Sequence, residues 1–303
     1  MVFKGCGFWK YKQQKLKIIK KYSTPMPKVK ICAVQFKVTP NFEKNISRVK
    51  QFFKKSNKSN CDIICFPEIF LTGPLNKEKY NSRIPIEAKK LFSELSKNYG
   101  IYSVMGSIIE KINNNFYNIS YLFDNKGGIV GNYKKNHLVQ KSEAKYLKSG
   151  NEVNVFKTKI GKIGIQICRD LLYPEITRKL MLRDAEIIFC PSFWSAKSSS
   201  YEWIYNNKYF KNKIPREVNF LVSARAIENE AVFVYSNAAG NFVGNGIRDV
   251  LLGGSQIALP FYGTTNILNH NKEGILIKEI DLSIVKDAKR IYKIEKDLKD
   301  YYK

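Results

Sequence analysis

The chain has 303 residues, 44% of them hydrophobic, so it is long enough to bury the core of one large α/β domain. Lys and Arg number 52 against 26 Asp and Glu, a formal net charge of +26 at pH 7. No apolar run reaches the roughly 18 residues of a membrane-spanning helix, and the segment before Lys28 lacks the apolar stretch of a secretory signal. These properties argue against a membrane-spanning or secreted protein and predict a cytoplasmic one.

The positive charge keeps a second class of function open, a basic protein without catalytic activity that binds nucleic acid or an anionic membrane. The lysines are spread over the whole chain, so we favour a solvated lysine-rich surface and expect neither partner. The N-terminus is the exception, because residues 1–42 contain no acidic side chain. We interpret residues 1–28 as a basic N-terminal extension and residues 29–303 as the folded domain. Contact of the extension with an anionic surface remains an alternative.

The first predicted elements alternate between strand and helix. Lys30–Phe36 is apolar and predicts a central strand, and apolar residues near helical spacing predict a helix over 41–55. A second apolar run begins at Asp62 and predicts a strand that ends at Glu68. A second helix is predicted over 85–99, because it opens with a proline at a tolerated first position and carries apolar residues on one face.

The second half of the chain repeats this order loosely after a meander of strands. Gly161–Ile167 has the alternation of a half-buried strand and stops abruptly at Cys168. A helix opens at Pro174, an apolar strand follows over 186–190, and the tail over 281–303 is helix-like and charged. Three strand candidates lie between the halves, over 101–111, 116–123 and 128–133. The order predicts one mixed α/β domain with two sheets and helices outside them.

Cys168 stands at a strand end, where side chains project into a cleft, and a nucleophile would sit there. A thiol needs a base to become a thiolate, and the usual partner is His. The chain has two histidines, and His270 lies in a polar, turn-like stretch. A thiol protease would therefore depend on His137 alone, and we do not favour that hypothesis.

The other cysteines show no spacing typical of a disulfide framework. Cys32, Cys65 and Cys190 fall inside apolar strand runs, so we interpret them as small buried hydrophobic residues. Cys61 and Cys65 form a lone Cys-x-x-x-Cys without a second pair or a well-placed His. We therefore predict no metal site and no cofactor.

Three stretches in chain order carry a resemblance to a known family. They are Phe66–Glu68 followed by Thr72 and Gly73, then Tyr133–Leu138, then Ile167–Asp170 followed by Tyr173–Glu175. Together they resemble the nitrilase superfamily of carbon-nitrogen hydrolases, which is recognised by a Glu, a Lys and a Cys in this order. The agreement continues from about residue 29 to 282 through Ala33–Gln35, Tyr117–Asn118, Pro191–Trp194, Ala224–Asn229, Asn237–Gly240 and Gly253–Ser255. The resemblance implies a four-layer α-β-β-α sandwich and a homodimer or a higher oligomer.

The resemblance also implies a catalytic set. Cys168 would attack an amide or nitrile carbon, and water would resolve the resulting thioester or thioimidate. Glu68 would take the thiol proton and later activate water. Lys135 would stabilise the tetrahedral intermediate; it is selected over Lys134 because it lies three residues before the Leu of a Lys-x-His-Leu pattern. Glu143 resembles the superfamily's second glutamate, which orients the catalytic Lys.

Arg169 departs from the apolar, aromatic or Asn residue that often follows the nucleophile in the superfamily. Its guanidinium either pairs with a substrate carboxylate or turns away to Asp170 or Glu175. Phe193 and Trp194 are expected to line the substrate pocket.

The predicted function is hydrolysis of a small amide without a cofactor. The same three catalytic residues serve nitrilases and N-carbamoyl amino acid hydrolases, so these activities remain alternatives, and amidase is preferred as the commoner activity of the superfamily. The long aromatic-rich loop over 195–217 is interpreted as a lid or as a contact with a partner subunit.

Overall fold

The structure is a computed structural model that describes residues 28–75, 77–140, 142–195 and 217–301. Residues 1–27 of the predicted extension and residues 196–216 of the predicted lid loop lie outside the described residues. The first strand begins at Lys28, and the domain boundary there stays a prediction.

The described residues form strands β1–β14 and helices α1–α6 in a mixed order. The strands are β1 Lys28–Lys37, β2 Ile63–Cys65, β3 Tyr102–Val104, β4 Ile108–Ile112, β5 Asn115–Phe123, β6 Ile129–Lys134, β7 Val155–Thr158, β8 Gly161–Ile165, β9 Ile187–Ser192, β10 Val232–Gly244, β11 Ile247–Leu252, β12 Gln256–Leu259, β13 Gly263–Ile267 and β14 Gly274–Asp281. The helices are α1 Phe42–Lys58, α2 Arg83–Tyr99, α3 Pro174–Leu182, α4 Glu217–Glu228, α5 Ser283–Tyr292 and α6 Ile294–Tyr301.

The strands form one hydrogen-bonded path in the order β4-β5-β3-β2-β1-β10-β9-β8-β7. The path has two halves; among the described strands they join where Phe36 and Lys37 of β1 pair with Ala238 and Ala239 of β10. In each half the central strands are parallel, β1 with β2 and β3, and β8 with β9 and β10. Because the carboxyl ends of parallel strands meet at one edge, the residues that follow β8 and β9 are brought together.

Alternation along β1 separates two layers of apolar side chains. Ile31 and Ala33 share a buried cluster with Ile163 and Ile165 of β8, so this face of β1 packs against the other half of the sheet. The opposite face of β1 packs against α1 and α2 through Cys32, Val34 and Phe36, which share a cluster with Val49, Phe52 and Phe92. Helices α3 and α4 cover the second half through Leu180 and Val222. Two sheet layers with helices outside are the predicted arrangement.

One predicted strand, 101–111, is two strands in the structure. The break falls at Gly106, which has a φ of +74°. A Cβ there would lie 2.0 Å from the carbonyl oxygen of Pro67, so only glycine lets the backbone approach the segment before Glu68 this closely. The interruption is therefore imposed by a tertiary contact rather than by the local sequence.

The predicted tail helix is likewise divided, into α5 and α6. Lys293 between them has a φ of +58°, a left-handed conformation that ends α5. Val285 and Ala288 of α5 are buried against the chain's own core. Among the described residues, no helix has both the length and the apolarity needed to cross a bilayer.

Candidate active site

The three predicted catalytic residues each follow a strand and lie together beneath the surface. Glu68 comes three residues after β2, Lys135 directly follows β6, and Cys168 opens the short turn after β8. Their exposed fractions are 2% for Glu68, 1% for Lys135 and 7% for Cys168. The Nζ atom of Lys135 lies 2.7 Å from Oε1 of Glu68, although the two residues are 67 positions apart in the chain.

Cys168 occupies a sharp bend between strand and helix. Its φ is +45°, a left-handed conformation that costs a residue with a side chain about 1 kcal/mol or more. The bend is a single 3-10 turn, Cys168–Leu172, after which Pro174 opens α3. Strained backbone at the predicted nucleophile is typical of a position selected for chemistry rather than for stability.

Both oxygens of the Glu68 carboxylate accept hydrogen bonds. Oε1 accepts from Lys135 Nζ and, at 2.8 Å, from the side-chain nitrogen of Asn118, while Oε2 accepts from the main-chain N–H of Phe193 at 3.0 Å. Burial raises the pKa of Glu68 above its usual value, and the charge of Glu143 adds to the rise while Lys135 opposes it. A carboxyl group with a raised pKa is suited to accept and return a proton.

Lys135 is held between two carboxylates. Its Nζ donates to both oxygens of Glu143, at 2.9 and 2.8 Å, as well as to Glu68. Burial alone would lower the pKa of Lys135, but the charges of Glu143, Glu68 and Cys168 outweigh it and raise the pKa well above the usual value. The side chain is therefore an ammonium at neutral pH. Lys134 turns to the other side, with Nζ 4.6 Å from the centre of the Tyr117 ring.

The surroundings of the Cys168 thiol shift its pKa upward. Burial raises its pKa well above the usual value, and the charge of Glu68 raises it further. Lys135 and the main-chain N–H of Phe193 act in the opposite direction. The Glu68 carboxylate is close enough to the thiol to act on its pKa, so the group that would take its proton lies nearby.

The sequence profile of the carbon-nitrogen hydrolase family matches residues 30–290. The chain belongs to this family. A probable hydrolase of Bacillus subtilis, YhcX, is 28% identical over 284 residues, which are 88% of this chain and 52% of that protein, so the chain spans about half of its length. A 2-oxoglutaramate amidase of the same organism is 29% identical over 264 residues, 85% of this chain and 93% of the relative.

The fold is similar to that of a carbon-nitrogen hydrolase from Helicobacter pylori G27. The TM-score is 0.78 at 21% identity, and the match covers 89% of this chain and 94% of the other. The family match and the fold similarity confirm the predicted membership of the nitrilase superfamily, the four-layer α-β-β-α sandwich and the class of enzyme, an amidase-type carbon-nitrogen hydrolase.

Arg169 of this hydrolase adopts neither of the internal pairings considered from the sequence. The alternative in which it pairs with Asp170 or Glu175 is wrong, because its guanidinium lies over the Tyr173 ring and donates to the Tyr173 hydroxyl at 3.3 Å. The Nε atom is buried without a hydrogen-bond partner. Within the described ranges no carboxylate lies within ion-pair distance of Arg169, so the guanidinium stays available to a ligand.

The two aromatic residues predicted to line the pocket have different surroundings. Phe193 contacts the site through its main-chain N–H, and its ring packs at 5.7 Å against Phe242 and joins an apolar cluster with Ile69 and Tyr146. The half-buried Trp194 packs against the main core, and its main-chain N–H donates to the side-chain oxygen of Asn237 within β10. Phe193 is thus the one with a direct contact to Glu68.

Sequence reasoning did not place Asn118 at the candidate site. Its side-chain nitrogen donates to Glu68 at 2.8 Å and to Glu143 at 3.2 Å, and its main-chain oxygen accepts from the N–H of Lys135. The pair Tyr117–Asn118 is among the stretches that resemble the nitrilase superfamily, and this agreement was the available signal for Asn118.

The His137 ring contacts Asp170 and Tyr173, whereas a thiol protease requires a histidine that contacts the nucleophilic cysteine. Its Nδ1 lies 2.9 Å from Oδ1 of Asp170, and its ring stacks on Tyr173 with centroids 3.5 Å apart. Asp170 was likewise missed by sequence reasoning, although it lies in the same motif as the nucleophile.

Proposed function

We propose that the protein hydrolyses the carboxamide of a small molecule through a thioester on Cys168, with Glu68 as general base and Lys135 stabilising the tetrahedral intermediate. One observation carries this proposal: a buried ammonium, Lys135, lies between two carboxylates and beside a buried thiol at a strained strand end. Glu143 would orient Lys135.

In the first half of the reaction Cys168 Sγ gives its proton to Glu68 and bonds to the amide carbon. The carbonyl oxygen becomes negatively charged and is stabilised by the Lys135 ammonium and the main-chain N–H of Arg169. When the tetrahedral intermediate collapses, the C–N bond breaks and the nitrogen takes the proton from Glu68. Ammonia leaves and the acyl group stays on sulfur.

In the second half Glu68 accepts a proton from water as the water oxygen attacks the thioester carbon. The C–S bond breaks, the sulfur recovers the proton from Glu68, and the carboxylic acid is released. The Glu68 carboxylate thus accepts and returns a proton in both halves of the reaction, and its raised pKa favours this double role.

The proposed substrates are ω-amides, small molecules that carry a carboxylate at the other end. The half-buried Arg169 follows the nucleophile directly, and its guanidinium has no carboxylate partner in the described part of the chain. A guanidinium binds a carboxylate with two parallel hydrogen bonds. The 2-oxoglutaramate amidase of Bacillus subtilis is a relative whose named substrate carries such a group.

A homodimer is proposed as the minimal assembly, through helix α4. Phe220 is 73% exposed on this helix, Ile227 lies on the same face two turns later, and the exposed Tyr262 precedes Gly263, which lies against Ile227. Light scattering of the parent and of Phe220→Glu tests the proposal, which expects a dimer that the charged residue converts to monomer. A parent that is monomeric would contradict it.

Ammonia release from matched amides, N-carbamoyl amino acids and nitriles, compared with Cys168→Ala, tests the proposed function. We expect turnover of the amides that the variant loses. Selective turnover of carbamoyl compounds or nitriles would favour those alternatives. Silence across the panel, together with salt-sensitive retention of the protein on nucleic acid or anionic lipid, would favour the non-catalytic basic protein.

A further inference from the structure

The Asp170 carboxylate lies completely buried two residues after the nucleophile and accepts four hydrogen bonds. The main-chain N–H of Ile167 donates to Oδ2 at 3.0 Å, and the hydroxyl of Tyr133 donates to the same oxygen at 2.7 Å. Oδ1 accepts from the main-chain N–H of His137 and from its ring Nδ1, both at 2.9 Å. A buried carboxylate is tolerated only when its oxygens are satisfied in this way.

Three of these bonds, those from Tyr133 and His137, join two segments that are distant in the chain. One is the turn that carries Cys168. Asp170 lies in this turn, and the hydrogen bond from the N–H of Ile167 to its carboxylate stays within the same segment. The other carries Lys135, which has Tyr133 two residues before it and His137 two residues after it. Asp170 therefore holds the Lys135 segment on both sides of the lysine.

The stacked rings of His137 and Tyr173 form a further contact between the same two segments. The His137 ring lies on the Tyr173 ring at 3.5 Å with an angle of 8° between the planes, and Tyr173 ends the turn that begins with Cys168. Because Asp170 Oδ1 accepts the Nδ1 hydrogen, the orientation of the histidine ring is fixed.

We propose that Asp170, Tyr133 and His137 form a clasp of positioning residues that sets the distance between the Lys135 ammonium and the Cys168 sulfur. The inference deepens the proposed function and rests on it. None of the three residues is proposed to touch the substrate. Their effect passes through Lys135, which ends in a long, flexible side chain and needs a fixed backbone to place its charge.

The clasp is required because the remaining main-chain contacts of Lys135 do not reach the nucleophile. The N–H of Lys135 donates to the carbonyl of Asn118 on β5, and its carbonyl accepts from the N–H of Gly150. Both bonds tie the lysine to its own side of the cleft. In the described part of the chain, the hydrogen bonds to Asp170 and the stacking of His137 on Tyr173 tie the lysine segment to the turn of Cys168. A displacement of about 1 Å in such a site is enough to cost about a hundredfold in rate.

The test uses the pH dependence of alkylation of Cys168 by iodoacetamide, which needs the thiolate but no amide substrate. The charged groups that face the thiol are Glu68 and Lys135, and Lys135 lowers the pKa of the thiol. Tyr133→Phe removes one hydrogen bond and keeps the ring; Asp170→Asn keeps the shape and removes the charge. We expect the midpoint of alkylation to rise by about half a pH unit or more in both, because Lys135 moves away from the sulfur, with the high-pH rate unchanged.

The matched control is Tyr121→Phe. Tyr121 is also a buried strand tyrosine whose hydroxyl donates to a carboxylate, that of Glu110, at 2.5 Å, but it lies outside the clasp. We expect its alkylation midpoint and kcat to equal those of the parent. For Tyr133→Phe we expect kcat to fall about tenfold or more with little change in KM, since the clasp positions a charge needed in the transition state.

A double variant shows whether the clasp acts through Lys135. In a Lys135→Met background, Tyr133→Phe should produce no further rise of the midpoint. A rise of the same size in both backgrounds, or an unchanged midpoint in Tyr133→Phe and Asp170→Asn, would overturn the inference. If Asp170→Asn does not fold, Tyr133→Phe decides alone. The alkylation midpoint is measured without amide turnover, so failure of the clasp is distinguishable from failure of the proposed function.

Discussion

Lys135 Nζ lies 2.7 Å from Glu68 Oε1, in an ion pair whose side chains are only 1% and 3% exposed. Removing two charges from water is costly, and an ion pair this deeply buried is weak support for stability. The second carboxylate, Glu143, and the amide of Asn118 complete the hydrogen bonding of the pair. Such an arrangement is suited to chemistry in which charge moves between fixed groups.

Lys135→Met would leave two carboxylates, Glu68 and Glu143, facing each other without a cation. We expect kcat to fall about a thousandfold, because the developing oxyanion loses its charged donor. Loss of one partner from a buried pair should also lower the free energy of unfolding by about 3 kcal/mol or more. Steady-state kinetics and urea unfolding measure the two effects.

The control for this variant is Lys134→Met, the adjacent lysine on the Tyr117 ring. Its kcat should stay within about threefold of the parent, because the half-buried cation–π contact with Tyr117 contributes about 1 kcal/mol and does not involve the candidate site. Equal losses in the two variants would contradict the assignment of the catalytic lysine to position 135.

Glu143→Gln should shift the alkaline limb of the pH–rate profile. The charge of Glu143 is the largest of the influences that raise the pKa of Lys135, so the neutral amide should let that pKa fall. Activity that needs the ammonium would then be lost at a lower pH than in the parent. Glu152→Gln, an exposed acid, serves as the control and should leave the limb in place.

The acidic limb of the same profile should report Glu68. Burial raises its pKa, so activity that needs the carboxylate should appear only above the usual range of glutamate, about 4.3 in model peptides, as pH rises. Asn118→Leu removes a donor to the charged form and should move this limb to still higher pH. The control is Asn132→Leu, which changes an exposed strand position and should leave the acidic limb at the same pH as in the parent.

Arg169→Met should weaken binding of amides that carry a carboxylate. Succinamate and succinamide have the same shape, but one end of the molecule is a carboxylate in succinamate and an amide in succinamide. Each is therefore the control for the other. We expect KM for succinamate to rise about tenfold or more in the variant, with KM for succinamide nearly unchanged. Equal changes of KM for both substrates would contradict the proposed role of Arg169.

Local patterns in the sequence were sufficient to place Glu68, Lys135 and Cys168 after the ends of strands, while their catalytic roles stay predictions. Glu68 follows an apolar run closed by Pro67, and Cys168 follows the alternation of β8. The break of the predicted strand at Gly106 was missed, since it depends on a contact with Pro67 that is remote in sequence.

Hydrogen-bond partners were the part that sequence could not supply. Asn118 contacts Glu68 across 50 residues, and Tyr133 contacts Asp170 across 37. Residues so far apart are brought together by the pairing of several strands, and no periodicity in either segment encodes the contact. Arg169 is a different case, because Tyr173 is only four residues away and the sequence indicated Asp170 or Glu175 as its internal partner instead.

The central claim is that Cys168 carries the acyl group during turnover. Intact-protein mass spectrometry of the protein, quenched with acid during hydrolysis of a good amide substrate, tests this most directly. We expect a mass increase equal to the acyl group, mapped to Cys168 and absent in Cys168→Ala, which should also lose all measurable turnover. Turnover that survives in Cys168→Ala, or an acyl group mapped to another residue, would contradict the account.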